Sequence, residues 1–153
     1  MTKHTETALT YVTLTQADGA AFWVKLGPLA TDAAAVKEIG SQIVNNERYT
    51  WVFALDGDEV VGCGAFVAPR KSGDPAWLDF GYVKPSHRWQ GIWKELFDRR
   101  IALARSAEVT HLRVCTRVLA RALEARGFAT YQQRGSWSYM ERDLTAAPTA
   151  KAA

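Results

Sequence analysis

An α/β protein of the α+β type, with a mixed sheet flanked by helices, follows from three features of this 153-residue chain. WVFAL (51–55) and EVVGCGAFVA (59–68) flank DGD, where Asp56 and Gly57 suit a tight antiparallel turn because glycine tolerates positive φ. From Gly91 to about Ala107, Ile92, Trp93, Leu96, Phe97, Ile101 and Ala104 recur at helical spacing, opposite Lys94, Glu95, Asp98 and Arg99. That is an amphipathic helix lying on a sheet. The runs give the order β, α, α, β, β, β, α, β, α, β, β, without repeats or an internal linker. With 48% hydrophobic residues the chain can bury one core and is short for two, so one domain spans 1–153, with an ordered core from 8 to 144.

ALTYVTLT (8–15) alternates as a strand does, and QADG closes it. AAFWVKLGPLATDAAAVKEIGSQIVNN (20–46) suggests two helical pieces broken at Gly27 and Pro28, the second capped by Thr31 or Asp32. After the hairpin, a Pro, Lys, Ser and Gly loop (69–75) leads into AWLDFGYV (76–83), a strand that ends near Val83 because Pro85 cannot donate to a ladder. Beyond the amphipathic helix, HLRVCT (111–116) is a short strand. RVLARALEARG (117–127) is a helix with Val118, Leu119, Ala122 and Leu123 inward and Gly127 as its stop. ATYQQRG and SWSYMERDL form a closing strand pair, and the tail from 145 to 153 frays.

The formal charge is only +3, but it is divided unevenly. Residues 84–142 hold 12 Lys and Arg against 5 Asp and Glu, net +7, and the remainder holds 7 against 11, net −4. The C-terminal half favours an anionic partner, unless its arginines are merely solvated. Cys63 and Cys115, each in an apolar run, read as reduced and buried, which suits the cytoplasm. MTKHTETALT lacks the apolar core of a signal peptide, and no run is long enough to cross a bilayer, so neither export nor membrane partnership is expected. No histidine or cysteine spacing suggests a metal.

The unit LDFGYVKPSHRWQGIWKELF (78–97) has the parts of an anion site. A strand leads into a loop and a helix start, whose free N–H groups and dipole attract negative charge, and Arg88 adds a fork of donors. The segment resembles the acyl-CoA-binding motif of the GCN5-related N-acetyltransferase (GNAT) family: a strand ending Val-x-Pro, then Arg or Gln, two residues, Gly, one residue, and Gly or Ala. Val83, Pro85, Arg88, Gly91 and Ile92 stand at those places. The element order, the DGDEVVGCGAF hairpin and the RALEARGF helix end resemble the family too, over roughly residues 8–144. The resemblance implies a mixed, largely antiparallel sheet with two splayed strands, AWLDFGYV and HLRVCT, opening a slot for a thioester. It also implies that Arg88, Trp89, Gln90, Gly91, Ile92 and Trp93 hold the cofactor's diphosphate, while Tyr82 and Val83 line its pantetheine arm.

Two positions depart from the family pattern. Trp93 stands where the family has Gly or Ala; its indole either follows the apolar stripe into the core or fills the phosphate pocket. Leu123 occupies the place of a tyrosine that serves family members as the acid, and Thr116 the place of an asparagine. A thiol pKa of about 8.5 makes help from such an acid less necessary. Asp79 lies where family members often carry a catalytic glutamate, and is the candidate base or a surface acid. His87 and Glu47 are weaker candidates. Trp89 is a surface for an adenine ring or a cover for a neighbouring loop.

The reading is thus an N-acyltransferase using acetyl-CoA or another acyl-CoA, in which an amine on a small molecule or protein attacks the thioester directly. No Ser/His/Asp or Cys/His set argues for an acyl-enzyme. A catalytically inactive binding or assembly module is the alternative. Nucleic-acid binding, suggested by Arg113, Arg117, Arg121, Arg126 and Arg134 near Tyr131 and Trp137, is a third reading and is not favoured. The resemblance also allows a homodimer through the final strands.

Overall fold

A computed structural model describes residues 8–145. Seven strands form one sheet in the order β1-β2-β3-β4-β5-β7-β6. They are β1 (Leu9–Leu14), β2 (Tyr49–Asp56), β3 (Glu59–Val67), β4 (Ala76–Val83), β5 (His111–Thr116), β6 (Ala129–Arg134) and β7 (Trp137–Asp143). All neighbours are antiparallel except β4 and β5, which run parallel and pair only at Ala76 with Leu112 and at Trp77 with Arg113. Helices α1 (Ala20–Ala30) and α2 (Ala33–Ile39) cover one face, with Phe22, Leu26, Leu29 and Ala35 buried against Trp51, Phe53, Cys63 and Ala65. Helix α3 (Ile92–Ser106) and the short α4 (Ala120–Glu124) cover the other, burying Leu96, Phe97, Ala104 and Leu123 against Leu78, Val61 and Val114. The element order is the one expected. Apart from Thr145, the tail assigned to 145–153 lies outside the described residues.

Several boundaries differ from the sequence reading. The hairpin turn is Gly57-Asp58, one residue later than Asp56-Gly57, because Asp56 still pairs with Glu59 and the positive φ falls on Gly57, at +60°. Helix α1 does not break at Gly27 and Pro28 but runs through to Ala30. Pro28 leaves the carbonyl of Val24 without its helical donor, and Val24 is exposed, so water can serve instead. The break comes after Thr31, where Asp32 caps α2 by accepting from the N–H groups of Ala34 and Ala35. The second helical piece stops at Gly40, in the left-handed conformation, and does not extend to residue 46. The helix expected over 117–127 shrinks to Ala120–Glu124, because Thr116 Oγ1 accepts from the N–H groups of Val118 and Leu119 and holds that turn open. Val118 is exposed, not inward, and Cys115 is only half-buried.

Candidate active site

Parallel β4 and β5 diverge after their second paired position, and the register of β4 also shifts against β3 between Cys63 and Ala65. Two residues of β4, Phe80 and Gly81, oppose the single residue Gly64: a β-bulge. Phe80 takes a φ of +54°, costly for a side chain with a Cβ, and is held by stacking on Trp51 at 5.7 Å and Tyr49 at 6.2 Å. The divergence opens a cavity of about 570 Å³. Its banks are Leu78 and Phe80 to Val83 on one side and Val114 to Thr116 on the other, with the start of α3 at one end.

Gly91, at φ +78°, is the N-cap of α3, and no side chain caps the helix. The N–H groups of Gly91, Ile92, Trp93 and Lys94 therefore have no intrahelical acceptor, and all four residues line the cavity. A Cβ on Gly91 would meet nothing within 4 Å, so the space in front of this turn is open. Trp93 is part of the wall. Its indole stacks on Phe97 at 5.4 Å, and the Arg126 guanidinium lies over it at 4.8 Å. Ile92 is buried beneath, in the layer with Val61 and Leu96. Trp89, at φ +66°, is fully exposed at the cavity mouth and covers no neighbouring loop; Gln90 beside it is also exposed. Tyr82 and Val83 are buried in the β4 bank, and burial pushes the Tyr82 hydroxyl above its usual pKa.

Arg88 does not point freely into the cavity. Its Nε donates to the Val83 carbonyl at 3.1 Å, and its Nη2 donates to Glu38 Oε2 on α2 at 2.6 Å. From the opposite bank, Arg117 Nη2 donates to the carbonyls of Lys37 at 3.2 Å and Glu38 at 2.7 Å, while its guanidinium lies 4.8 Å over Trp137. Gly40 completes this junction, since a Cβ there would stand 2.8 Å from the Trp137 ring. Three other arginines considered for nucleic acid are similarly occupied: Arg113 over Tyr131, Arg126 over Trp93 and Arg134 over Tyr139.

Asp79 does not line this cavity. It faces the α1/α2 side and lines a separate hollow of about 320 Å³ with Arg48, Tyr49, Arg70 and Trp77. Burial raises its pKa, while the charge of Arg100, a hydrogen bond from the Tyr49 hydroxyl and Arg48 pull the other way. His87 has both ring nitrogens engaged, Nε2 with Asp56 at 2.8 Å and Nδ1 with Ser86 at 2.7 Å. Glu47 is exposed and lines neither hollow. Arg100, on α3, lines the main cavity although the sequence reading assigned it no role. The available signal was its position in the apolar stripe, four residues after Leu96 and four before Ala104. Among the described residues no group of three or more His, Cys, Asp or Glu is arranged for a metal, and no helix is long and apolar enough to cross a membrane.

Comparison with known proteins places this geometry in a wider class. Curated protein sequences give no match. Solved structures do: an acyl-CoA N-acyltransferase from Pseudomonas aeruginosa (15% identity, TM-score 0.71, covering 88% of this chain and 99% of that one) and Escherichia coli ElaA (13%, 0.71, 89% and 100%). PaiA N-acetyltransferase from Thermoplasma acidophilum, solved in complex with coenzyme A, is similar at 15% identity and TM-score 0.64, covering 89% of this chain and 99% of that one. At these identities the likeness is one of fold. The sequence model of the acetyltransferase (GNAT) family matches residues 18–133, which include both splayed strands, the α3 start and the Asp79 hollow. This chain belongs to the GNAT family.

Proposed function

We propose that the protein is an acyl-CoA-dependent N-acyltransferase that passes an acetyl or other acyl group to a primary amine, on a small molecule or a protein, by direct attack. The observation that carries this reading is the slot: β4 and β5 part after two paired positions, and the cavity between them begins at four uncapped N–H groups. The residues present fit the cosubstrate. The backbone from Trp89 to Trp93 is suited to a diphosphate, Arg88 stands beside it, and Gly91 leaves the approach clear. Tyr82 and Val83 flank the path of the arm, and the exposed Trp89 indole offers a face to a purine. Acyl-CoA bound here supplies an activated thioester. Asp79, in the separate hollow on the α1/α2 side, accepts the proton that an attacking ammonium must lose, and burial, by raising its pKa, makes it a stronger base than an ordinary aspartate.

Leu123, buried at 2% exposure, gives no proton to the departing sulfur, and this favours a second reading: a fold retained for binding or assembly. Thermal melting separates the two. Acetyl-CoA at about 100 times its dissociation constant stabilises by about 2.7 kcal/mol, expected as a rise in Tm of about 5–10 °C. An unchanged Tm at millimolar acetyl-CoA would transfer the argument to the second reading.

A further inference from the structure

Arg100 is a buried charge with little compensation from the protein. It sits in the third turn of α3, 3% exposed, in a stripe otherwise made of Ile92, Leu96, Phe97 and Ala104. Its Nε donates to the Leu96 carbonyl at 3.2 Å, and among the described residues no fully buried side-chain nitrogen is left without a partner, so Nη1 and Nη2 open on the cavity. Cys63 and Asp79 act on it only through space, and burial brings its pKa down to about 10, which still leaves it charged at neutral pH. Two glycines make room for it. A Cβ on Gly64 would stand 2.7 Å from its Cζ and Nε, and one on Gly81 would stand 3.4 Å from Nη2. The guanidinium therefore occupies a cradle under the β4 bulge.

Its place in the cavity indicates what it would meet. Arg100 lies nine residue steps beyond Gly91, about 14 Å along the axis. The cavity thus has anion-seeking N–H groups at the start of α3, an apolar wall of Leu78, Phe97 and Val114, and a guanidinium further along the same helix. A guanidinium set in an apolar cavity wall is only partly compensated by water, and that deficit persists for as long as no anion faces it. A negative charge that forms only in passing on sulfur does not offset it in the resting complex. A permanent anion on the bound molecule does.

We propose that Arg100 is the counter-ion for a carboxylate at the far end of the acyl group, so that the preferred donor is the CoA thioester of a dicarboxylic acid and not that of a simple fatty acid. This rests on the acyl-CoA reading above. The test is calorimetric titration of the full chain with CoA, acetyl-CoA, butyryl-CoA and freshly prepared succinyl-CoA, the last two of equal carbon count. A charge-assisted contact predicts that succinyl-CoA binds about tenfold or more tightly than butyryl-CoA. In Arg100→Met that preference disappears while CoA itself binds as before, and Arg100→Lys, which keeps the charge without the fork, recovers part of it. Binding of CoA without any preference for succinyl-CoA, or a preference that survives in Arg100→Met, overturns the proposal and leaves the acyltransferase reading standing. Failure of CoA and every thioester to bind overturns both. Should Arg100→Met fail to fold, the wild-type comparison and Arg100→Lys still decide.

Discussion

Asp79 and Arg100 face opposite sides of the sheet, yet each alters the other's ionisation. For Asp79 burial is the larger influence, so its folded pKa lies above its unfolded one and the native state holds the proton more tightly. The stability this contributes is complete below the ordinary carboxylate pKa and is lost as pH rises through the folded value, so at neutral pH the ionised carboxylate is a burden. Asp79→Asn should therefore hold or raise Tm at neutral pH, by about 2–4 °C for each 1 kcal/mol, and flatten the fall of Tm as pH rises above the ordinary carboxylate pKa. In an acyl-transfer assay the same variant should lose most of its rate. A lower Tm at neutral pH, measured by calorimetry, would count against this assignment of the shift. Asp79 stood out in the sequence as an acid in an aromatic strand, but its side of the sheet did not. The bulge places Asp79 and Phe80 on one face, where strict alternation would separate them. Arg100 was missed for a related reason: a stripe defined by apolar residues passes over a charge embedded within it.

At the level of elements, strands were more legible than helix ends. β5 spans the expected HLRVCT, and β4 stops at Val83, ahead of Pro85. Those limits are set by hydrophobic pattern and by a missing donor, both local. Helix limits depended on neighbours: Thr116 diverting the start of α4, and exposure of Val24 letting α1 continue through Pro28. The second case gives a measurable expectation. Pro28 is itself exposed, so Pro28→Ala restores a helical donor without removing buried surface. Interior proline costs a helix about 3 kcal/mol relative to alanine, partly offset by the entropy proline removes from the unfolded chain. A net gain of about 1–2 kcal/mol, or a Tm higher by about 2–8 °C, is expected in calorimetry. A neutral or lower Tm would show that α1 is already accommodated to its proline.

Across the whole molecule, the order of elements and the antiparallel hairpins were readable because each rests on contiguous sequence. The cleft was suggested only by family resemblance, since it depends on a bulge and on a parallel pairing that stops after two positions. The junction at the end of α2 was not readable at all, because Arg88, Arg117 and Trp137 reach it from three distant stretches of chain. One arginine is rooted on each bank, and both grip the same helix end, so α2 works as a tie-beam: spreading the banks must load it, and displacing it must change their separation. The Trp137 ring under Arg117 is a strain gauge already in place. Indole emission should change when CoA enters, and the change should shrink in Trp137→Phe and in Arg117→Met. An identical optical response in both variants would mean that the banks take up their guest without tension reaching the beam.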